Sequence, residues 1–183
     1  MKTKTLSLLL VTGALASSAY MAAAVAKPTR AARPAGLASA TLRAADGTPR
    51  GKAWIANRNG HWDLKVEAIG VAPGAHGVHL HTVGKCDAPD FTSAGGHLNP
   101  HGKMHGTANP QGPHLGDLPN LIAGTDGKGT LTAGLTGSAA ELNAALFDAD
   151  GTAVVIHAGP DDNRTDPSGN SGGRVACGVL TRG

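Results

Sequence analysis

The hydrophobic pattern of the chain predicts a series of short strands. From about residue 37 the sequence runs through ASATLRAADG, GKAWIANRNG and HWDLKVEAIG, in which apolar and polar residues largely alternate. That period is typical of strands with one buried face, and Asp-Gly, Asn-Gly and Gly-Val-Ala-Pro-Gly sequences separate the runs as turns. GTLTAGLTG, TAVVIHAG and GRVACGVLT continue the pattern towards the C-terminus. Regularly spaced short strands with Gly-rich turns predict an antiparallel β-sandwich or barrel.

Three segments depart from this pattern. SAAELNAAL, residues 138–146, has helical spacing and predicts one or two helical turns beside a strand. Residues 84–126 and 158–172 lack strand periodicity and are rich in Gly, Pro, Asp and Asn. Loops of this length in a compact domain are usually functional or are held by an additional interaction. We therefore predict two long functional loops in an otherwise all-β domain.

The N-terminal sequence predicts export. Lys2 and Lys4 precede the apolar stretch LSLLLVTGALA, and small residues ending in Ala-Val-Ala follow it at 24–26. This order is typical of a signal peptide over residues 1–26. Residues 27–36 predict a flexible linker, and residues 37–183 predict one domain. The apolar stretch is short and interrupted for a membrane span, so an uncleaved N-terminal anchor is the alternative, and we expect a periplasmic or secreted protein without membrane contact after signal removal.

The charge balance argues against a nucleic-acid partner. The full chain carries 16 basic and 13 acidic residues, but five of the basic residues lie in the first 36 positions, which leaves 11 basic residues in the predicted domain. No basic block remains, and one Tyr and two Phe offer no platform on which bases could stack. The two cysteines, Cys86 and Cys177, predict one disulfide closing a long loop in an oxidising compartment, with two free thiols as the alternative.

Histidines supply the candidate chemistry. Seven of the nine lie between His76 and His114, in the segments HGVHLH, GGHLNPHGKMHG and GPHLGDL. Neutral imidazole is the commonest transition-metal ligand, and so dense an array is hard to explain by packing because each buried ring nitrogen needs a partner. A solvated histidine-rich loop is the alternative. The pattern therefore predicts a metalloprotein, and the number of histidines indicates two ions.

The spacing suggests two kinds of metal site. His79 and His81 are separated by one residue on a predicted strand, so both side chains should emerge on one face, and His157 could complete that set from another strand. A set of three imidazoles and one carboxylate suits structural zinc, whereas an all-imidazole set with an open position suits a redox metal such as copper. The loop candidates for the zinc set are His97, His105, His114 and Asp117. Spacing alone does not divide the ligands or show that one of them serves both ions.

Five motifs together resemble a known family. HGVHLH, GGHLNPHGKMHG, GPHLGDLPN, VVIHAGPDD and GNSGGRVACGVL are similar, in order and nearly in spacing, to the successive motifs of copper/zinc superoxide dismutases of the bacterial exported branch. The resemblance covers essentially the whole predicted domain. It implies a Greek-key β-sandwich or barrel of immunoglobulin-like type, copper and zinc as cofactors, and the conversion of superoxide to O2 and H2O2.

The resemblance also implies a role for each candidate residue. His97 would bridge the two ions and pass a proton to the product, and Asp161 would hold the free nitrogens of His79 and His105. Arg174 would guide the superoxide anion to copper, and Cys86 would pair with Cys177. The implied copper ligands are His79, His81, His97 and His157. The implied zinc ligands are His97, His105, His114 and Asp117.

Three histidines match no ligand position of the family: His61, His76 and His101. We expect His76 to be a hydrogen-bonded structural residue and His101 a solvated loop residue.

The alternative function is a non-catalytic periplasmic copper- or zinc-binding protein, in which Arg174 and a bridging ligand would serve no purpose. A copper-only dismutase would lack the zinc ligands. The sequence leaves the oligomeric state open, with a homodimer as one option.

Overall fold

The computed structural model describes residues 37–183 of the 183-residue chain, and this part is almost entirely β-structure. The predicted signal peptide and linker, residues 1–36, lie outside the described residues. The strands are β1 (Ala38–Arg43), β2 (Pro49–Arg58), β3 (His61–Ala68), β4 (Gly74–His76), β5 (Val78–His81), β6 (Leu121–Ala123), β7 (Gly129–Gly134), β8 (Ala153–His157), β9 (Arg174–Val179) and β10 (Thr181–Arg182). One helix, α1 (Ala139–Leu146), and a 3-10 turn, Thr92–Ala94, complete the elements in this range.

The strands form one antiparallel sheet that curls into a nearly closed barrel. Its order is β4-β6-β7-β3-β2-β1-β9-β8-β5, with β10 paired to β1. The two end strands, β4 and β5, are consecutive in the chain and separated only by Gly77, so the ends of the sheet meet there. The connection from β3 to β4 passes over β6 and β7, which is a Greek-key crossing. The predicted all-β Greek-key fold is confirmed.

The strand pattern follows from alternating burial. On β3, Trp62, Leu64 and Val66 face the core while the residues between them face outward. The hairpin between β2 and β3 turns at Asn59 and Gly60, with φ angles of 53° and 89°. Two left-handed residues in a two-residue turn match the right-handed twist of the strands, which explains the Asn-Gly signal in the sequence.

Strand β8 differs because both of its faces are buried. Val154 and Ile156 belong to the main core of the barrel. Ala153 and Val155 face the other way and pack with Phe91 in a small second cluster that also contains Ala94 and Cys177. A loop therefore covers the outer face of β8, and this is the side on which the candidate ligands collect.

The helix was predicted correctly and one loop boundary was not. Ser138 and Glu141 form a reciprocal capping box at the start of α1, where the Ser138 hydroxyl accepts from the Glu141 N–H and the Glu141 carboxylate accepts from the Ser138 N–H. Strand β6 lies inside residues 84–126, which the sequence predicted as continuous loop, because three residues are too few to display a period. Within residues 37–183, no helix is long and apolar enough to cross a membrane.

Candidate metal centre

Strand β5 is the platform of the site. One of its edges pairs with β8, which ends at His157. The other edge pairs with the long loop that follows β5: the Leu80 N–H donates to the Gly116 carbonyl at 2.9 Å, and the Leu98 N–H donates to the Leu80 carbonyl at 2.8 Å. These backbone contacts bring loop residues level with the histidines of the strand. As a result, His79 lies opposite Asp117, and His81 lies opposite His97.

The structure brings the predicted ligands into two groups that share His97. In each group the candidate ligand atoms all lie within 4.8 Å of one another. The first, called here the all-histidine group, consists of His79, His81, His97 and His157. The second, called here the mixed group, consists of His97, His105, His114 and Asp117. The grouping is the one that the family resemblance implied, including the position of His97 in both.

The all-histidine group has the nitrogen atoms that a metal needs. Within the described part of the chain, five buried histidine ring nitrogens have no hydrogen-bond partner, and four of them belong to this group: His79 Nδ1, His81 Nε2, His97 Nε2 and His157 Nε2. The opposite nitrogen of each ring lies near an acceptor, such as the Gly95 carbonyl at 2.9 Å from His81 Nδ1 and the Gly172 carbonyl at 3.1 Å from His157 Nδ1. A neutral ring that donates from one nitrogen presents a lone pair on the other. Converging buried lone pairs are costly without a cation, so the group fits a metal ion with four imidazole ligands.

The mixed group converges on one oxygen atom. Asp117 Oδ1 lies 2.8 Å from His97 Nδ1, 3.0 Å from His105 Nδ1 and 3.2 Å from His114 Nδ1. Because His105 Nε2 is engaged by Asp161, the Nδ1 of a neutral His105 ring carries a lone pair that faces the carboxylate. Two acceptors at this distance repel each other unless a cation lies between them. The ligand atoms of a tetrahedral zinc with bonds of about 2.0–2.1 Å are about 3.3 Å apart, so the group fits zinc.

Asp161 connects the two groups. Its Oδ2 lies 2.7 Å from His79 Nε2, and its Oδ1 lies 3.0 Å from His105 Nε2. Asn120 holds the backbone of Asp161 from both sides, accepting from its N–H at 2.8 Å and donating to its carbonyl at 2.9 Å. Sequence reasoning missed Asn120, since an asparagine at the end of a loop carries no distinctive signal. Carboxylates that orient ligand histidines fix both the tautomer and the direction of the ring.

The second long loop, residues 158–172, folds back on itself so that Gly169 packs closely against Asp161. Gly169 has a left-handed φ of 62°, and a Cβ atom there would overlap Asp161 Oδ1 and crowd His105 Nε2. Only glycine allows both this conformation and this approach. The loop is also tied to the first one, because the His105 N–H donates to Asp166 Oδ1 at 2.6 Å. The two loops therefore form one interlocked cover over the strands that carry the histidines.

Burial keeps the candidate ligands in their metal-binding forms. Burial lowers the pKa of His81 to about 2, of His157 to about 3 and of His97 to about 4, and the charges of neighbouring histidines add to the effect. Burial raises the pKa of Asp117, but hydrogen bonds from His97 and backbone N–H groups outweigh it and hold the pKa below its usual range. Burial also raises the pKa of Asp161, and hydrogen bonds from His79 and His105 lower it to about 2. Neutral imidazoles and ionised carboxylates are the forms that bind metals.

Arg174 lies beside the all-histidine group. Its guanidinium donates to the Phe91 carbonyl at 2.6 Å and to the Gly95 carbonyl at 2.7 Å. The Gly95 carbonyl also accepts from His81 Nδ1, so one carbonyl positions both the arginine and a candidate ligand. Burial lowers the pKa of Arg174 while Asp90 opposes this, and a guanidinium remains charged in proteins. The site therefore presents a fixed positive group beside four imidazoles.

A disulfide fixes the loop that holds the arginine. Cys86 in the loop and Cys177 on β9 are bonded, with Cα atoms 5.7 Å apart and a sequence separation of 91. The predicted disulfide is confirmed. Because Arg174 begins the same strand, the bond keeps the carbonyls of Phe91 and Gly95 close to the guanidinium that they bind.

The other three histidines lie outside both groups. The two ring nitrogens of His76 each lie 2.7 Å from a backbone carbonyl, one of His157 and one of Ala72. Neither nitrogen is left for a metal, which agrees with the structural role predicted for His76. His61 and His101 are exposed.

Comparisons with known proteins agree with this geometry. Residues 49–180 match the family model described as copper/zinc superoxide dismutase. Cu-Zn superoxide dismutase 1 of Aquifex aeolicus is 47% identical over 135 residues, which cover 71% of this chain and 79% of that protein. The Cu-Zn superoxide dismutase of Caulobacter vibrioides is 41% identical over 149 residues, covering 78% and 84%. The crystal structure of a SOD-like protein from Bacillus subtilis matches with a TM-score of 0.72 and 39% identity, covering 78% of this chain and 97% of that one.

Proposed function

This chain belongs to the copper/zinc superoxide dismutase family, and on that premise we propose which of its residues carry the activity. The protein is an oxidoreductase that converts superoxide to O2 and H2O2 with copper and zinc as cofactors. The observation that carries the assignment of residues is the set of four buried ring nitrogens that face one another without hydrogen-bond partners.

The two groups differ in ligand type, and this divides the metals between them. We assign copper to the all-histidine group, because four imidazoles suit a redox-active copper. We assign zinc to the mixed group, because three imidazoles and one carboxylate form a closed tetrahedral set. His97 would serve both sites, because its Nε2 has no hydrogen-bond partner and its Nδ1 lies beside Asp117 of the mixed group.

The reaction needs a metal, an anion site and a proton source. When bound, copper supplies the one-electron oxidation and reduction that superoxide dismutation requires. The Phe91 and Gly95 carbonyls hold the guanidinium of Arg174 in place. Its remaining N–H groups bind and orient the superoxide anion. We assign the proton to His97 Nε2, because contacts at Nδ1 beside Asp117 hold this ring in place even when Nε2 carries a proton. Asp161 acts through His79 and His105, whose rings it orients.

We also propose that residues 1–26 direct export, to the periplasm or the outside medium. The disulfide between Cys86 and Cys177 supports an oxidising compartment. N-terminal sequencing of the exported protein tests the cleavage after residue 26. A homodimer remains a prediction, and light scattering of the mature protein measures the oligomeric state directly.

Superoxide consumption by the purified mature protein tests the function. We expect rapid loss of superoxide with the copper- and zinc-loaded protein, and loss of this activity in His157→Ala, which removes one nitrogen of the all-histidine group. His61→Ala is the matched control, because His61 is exposed and lies outside both groups. A protein that held both metals at full occupancy without consuming superoxide would instead be the non-catalytic metal-binding protein.

A further inference from the structure

A groove runs along the outside of the mixed group. Two cavities, of about 410 and 610 Å³, lie between the loop that follows β5 and the helix α1. They adjoin, because the residues His101, Leu115, Thr136, Gly137 and Glu141 line both of them. The larger cavity also reaches His114 and Asp117, two of the proposed zinc ligands. The groove therefore connects the protein surface to the mixed group.

Two side chains of the types that bind metals line this groove but belong to neither metal group. His101 is exposed on the loop, and Glu141 is exposed in the first turn of α1. Both side chains line both cavities, which places them on the same groove. The pKa of Glu141 is lowered, most by the Ser138 N–H and hydroxyl and least by the charge of His101. The capping contacts use only Oε2 of Glu141, which leaves its other oxygen available. Imidazole and carboxylate are both ordinary zinc ligands.

The charges near the two metal groups favour ions of opposite sign. Arg174 places a positive group beside the all-histidine group, which attracts an anion and repels a hydrated dication. The smaller cavity is lined by Glu141 and Asp148, and the ionisable side chains of its lining include no lysine or arginine. Lys103 is the one lysine or arginine that lines the larger cavity. The groove is therefore the more favourable approach for a cation.

His114 has the most exposed side chain among the proposed zinc ligands. The His114 side chain is 7% exposed, whereas the side chains of His97, Asp117 and His105 are 3%, 1% and 0% exposed. Since His114 lines the larger cavity, an ion in the groove would meet this ligand before the buried ones.

We propose that the groove is the route by which zinc enters and leaves, and that His101 and Glu141 bind the hydrated ion transiently before it reaches His114 and Asp117. The inference rests on the proposed assignment of zinc to the mixed group. Two ligands hold zinc far more weakly than four, so the ion moves inward to the complete set. Association through a site of opposite charge is faster than through a neutral one.

Isotope exchange in the fully metallated mature protein tests this route. The protein is mixed with an excess of an enriched zinc isotope, and native mass spectrometry follows replacement of the bound zinc. In His101→Gln/Glu141→Gln we expect exchange about tenfold slower than in the wild type, because entry and exit use the same path. Bound zinc at equilibrium should be unchanged, since the four ligands remain. Glutamine can still accept the Ser138 N–H, so the capping box is retained.

Two further variants sharpen the test. Lys103→Gln should speed exchange, because it removes a positive charge that faces the ion. His61→Gln is the control and should exchange zinc at the wild-type rate, because His61 is exposed on β3 and lines neither cavity. Wild-type exchange in the double variant would overturn the route, as would a loss of bound zinc at equilibrium, which would make His101 or Glu141 a permanent ligand. A wild-type protein that bound no zinc would overturn the assignment of the metal site itself.

Discussion

At the scale of single residues, His97 is the side chain that we propose serves both metal sites. Its Nδ1 faces Asp117 at 2.8 Å, and its Nε2 faces the other three imidazoles of the all-histidine group. We expect His97→Ala to lower activity and to weaken retention of both metals by at least about 10- to 100-fold, the range for removing a residue that only orients a metal ligand. Elemental analysis after dialysis against a chelator measures this, with His61→Ala as the control. Normal retention of both ions would show that His97 does not bridge them.

Arg174 is expected to control the rate without controlling metal content. Arg174→Ala should lower the second-order rate constant by about tenfold or more, and Arg174→Glu should lower it further because a like charge then faces the anion. The wild-type rate should fall as ionic strength rises, and less so in the Ala variant. Stopped-flow measurement of superoxide decay checks each expectation. An Arg174→Glu protein with the wild-type rate at low salt would contradict the role.

Arg174→Lys separates charge from geometry in the same experiment. Lysine keeps the positive charge but lacks the planar fork that donates to both the Phe91 and Gly95 carbonyls. We expect a rate between those of the wild type and Arg174→Ala, with the salt dependence retained. Recovery of metal content in all three variants is the internal check that the loop has kept its structure.

The sequence was most informative about residue types and least informative about atoms. Spacing predicted that His79 and His81 share one face, and composition predicted a metal site. The sequence could not show which nitrogen of each ring points inward. That depends on partners from distant loops, such as Asp161 for His79 and Gly95 for His81. Asn120 was missed for the same reason, since its role depends on a contact across 41 residues.

At the scale of elements, alternation predicted the long strands and failed for the short ones. β1, β2, β3 and β7 have one buried face and therefore show the period of two. β4 and β6 have three residues each, and they form because they pair with each other at the end of the sheet. Local sequence carries little information about such pairing, since it depends on how the barrel closes.

The disulfide is the element-scale feature with the clearest energetic consequence. A crosslink between residues 91 positions apart should stabilise the fold by roughly 4–5 kcal/mol on the chain-entropy model. Reduction, or the Cys86→Ser/Cys177→Ser change, should lower the melting temperature and also the activity, because the loop carbonyls that bind Arg174 are released. Differential scanning calorimetry with a parallel activity assay measures both effects. Two free thiols in active exported protein would contradict this prediction.

At the scale of the whole molecule, the buried histidines make stability depend on pH. His81, His97 and His157 have pKa values of about 2, 4 and 3 in the folded protein, below the ordinary value of 6.5. Below pH 6.5 the unfolded chain gains protons that the folded protein does not, so stability falls as the pH falls, by roughly 1 kcal/mol per pH unit for each histidine. Asp117 and Asp161, whose pKa values are lowered, stabilise the fold above about pH 4 and lose this contribution in stronger acid.

Urea denaturation of the metal-free protein at pH 7, 6 and 5 measures this dependence. We expect the midpoint to fall steadily across the series, and His81→Gln to flatten the decline because it removes one of the three titrating rings. Metal-loaded protein should also lose its ions more readily in acid, since protons compete for the same nitrogens. A midpoint that was constant from pH 7 to pH 5 would contradict the burial argument.

The pairing of the long loop with β5 also bears on aggregation. β5 is an end strand of the sheet, and its outer edge is covered by hydrogen bonds to Leu98 and Gly116 of that loop. If the loop came away, β5 would expose unpaired N–H and C=O groups beside Val78 and Leu80, and such an edge is a template for joining molecules into larger sheets. The loop carries several of the side chains that we propose as metal ligands, so a bound ion would hold it in place. Bound metal therefore acts against polymerisation, and demetallated protein should be the species that forms insoluble assemblies.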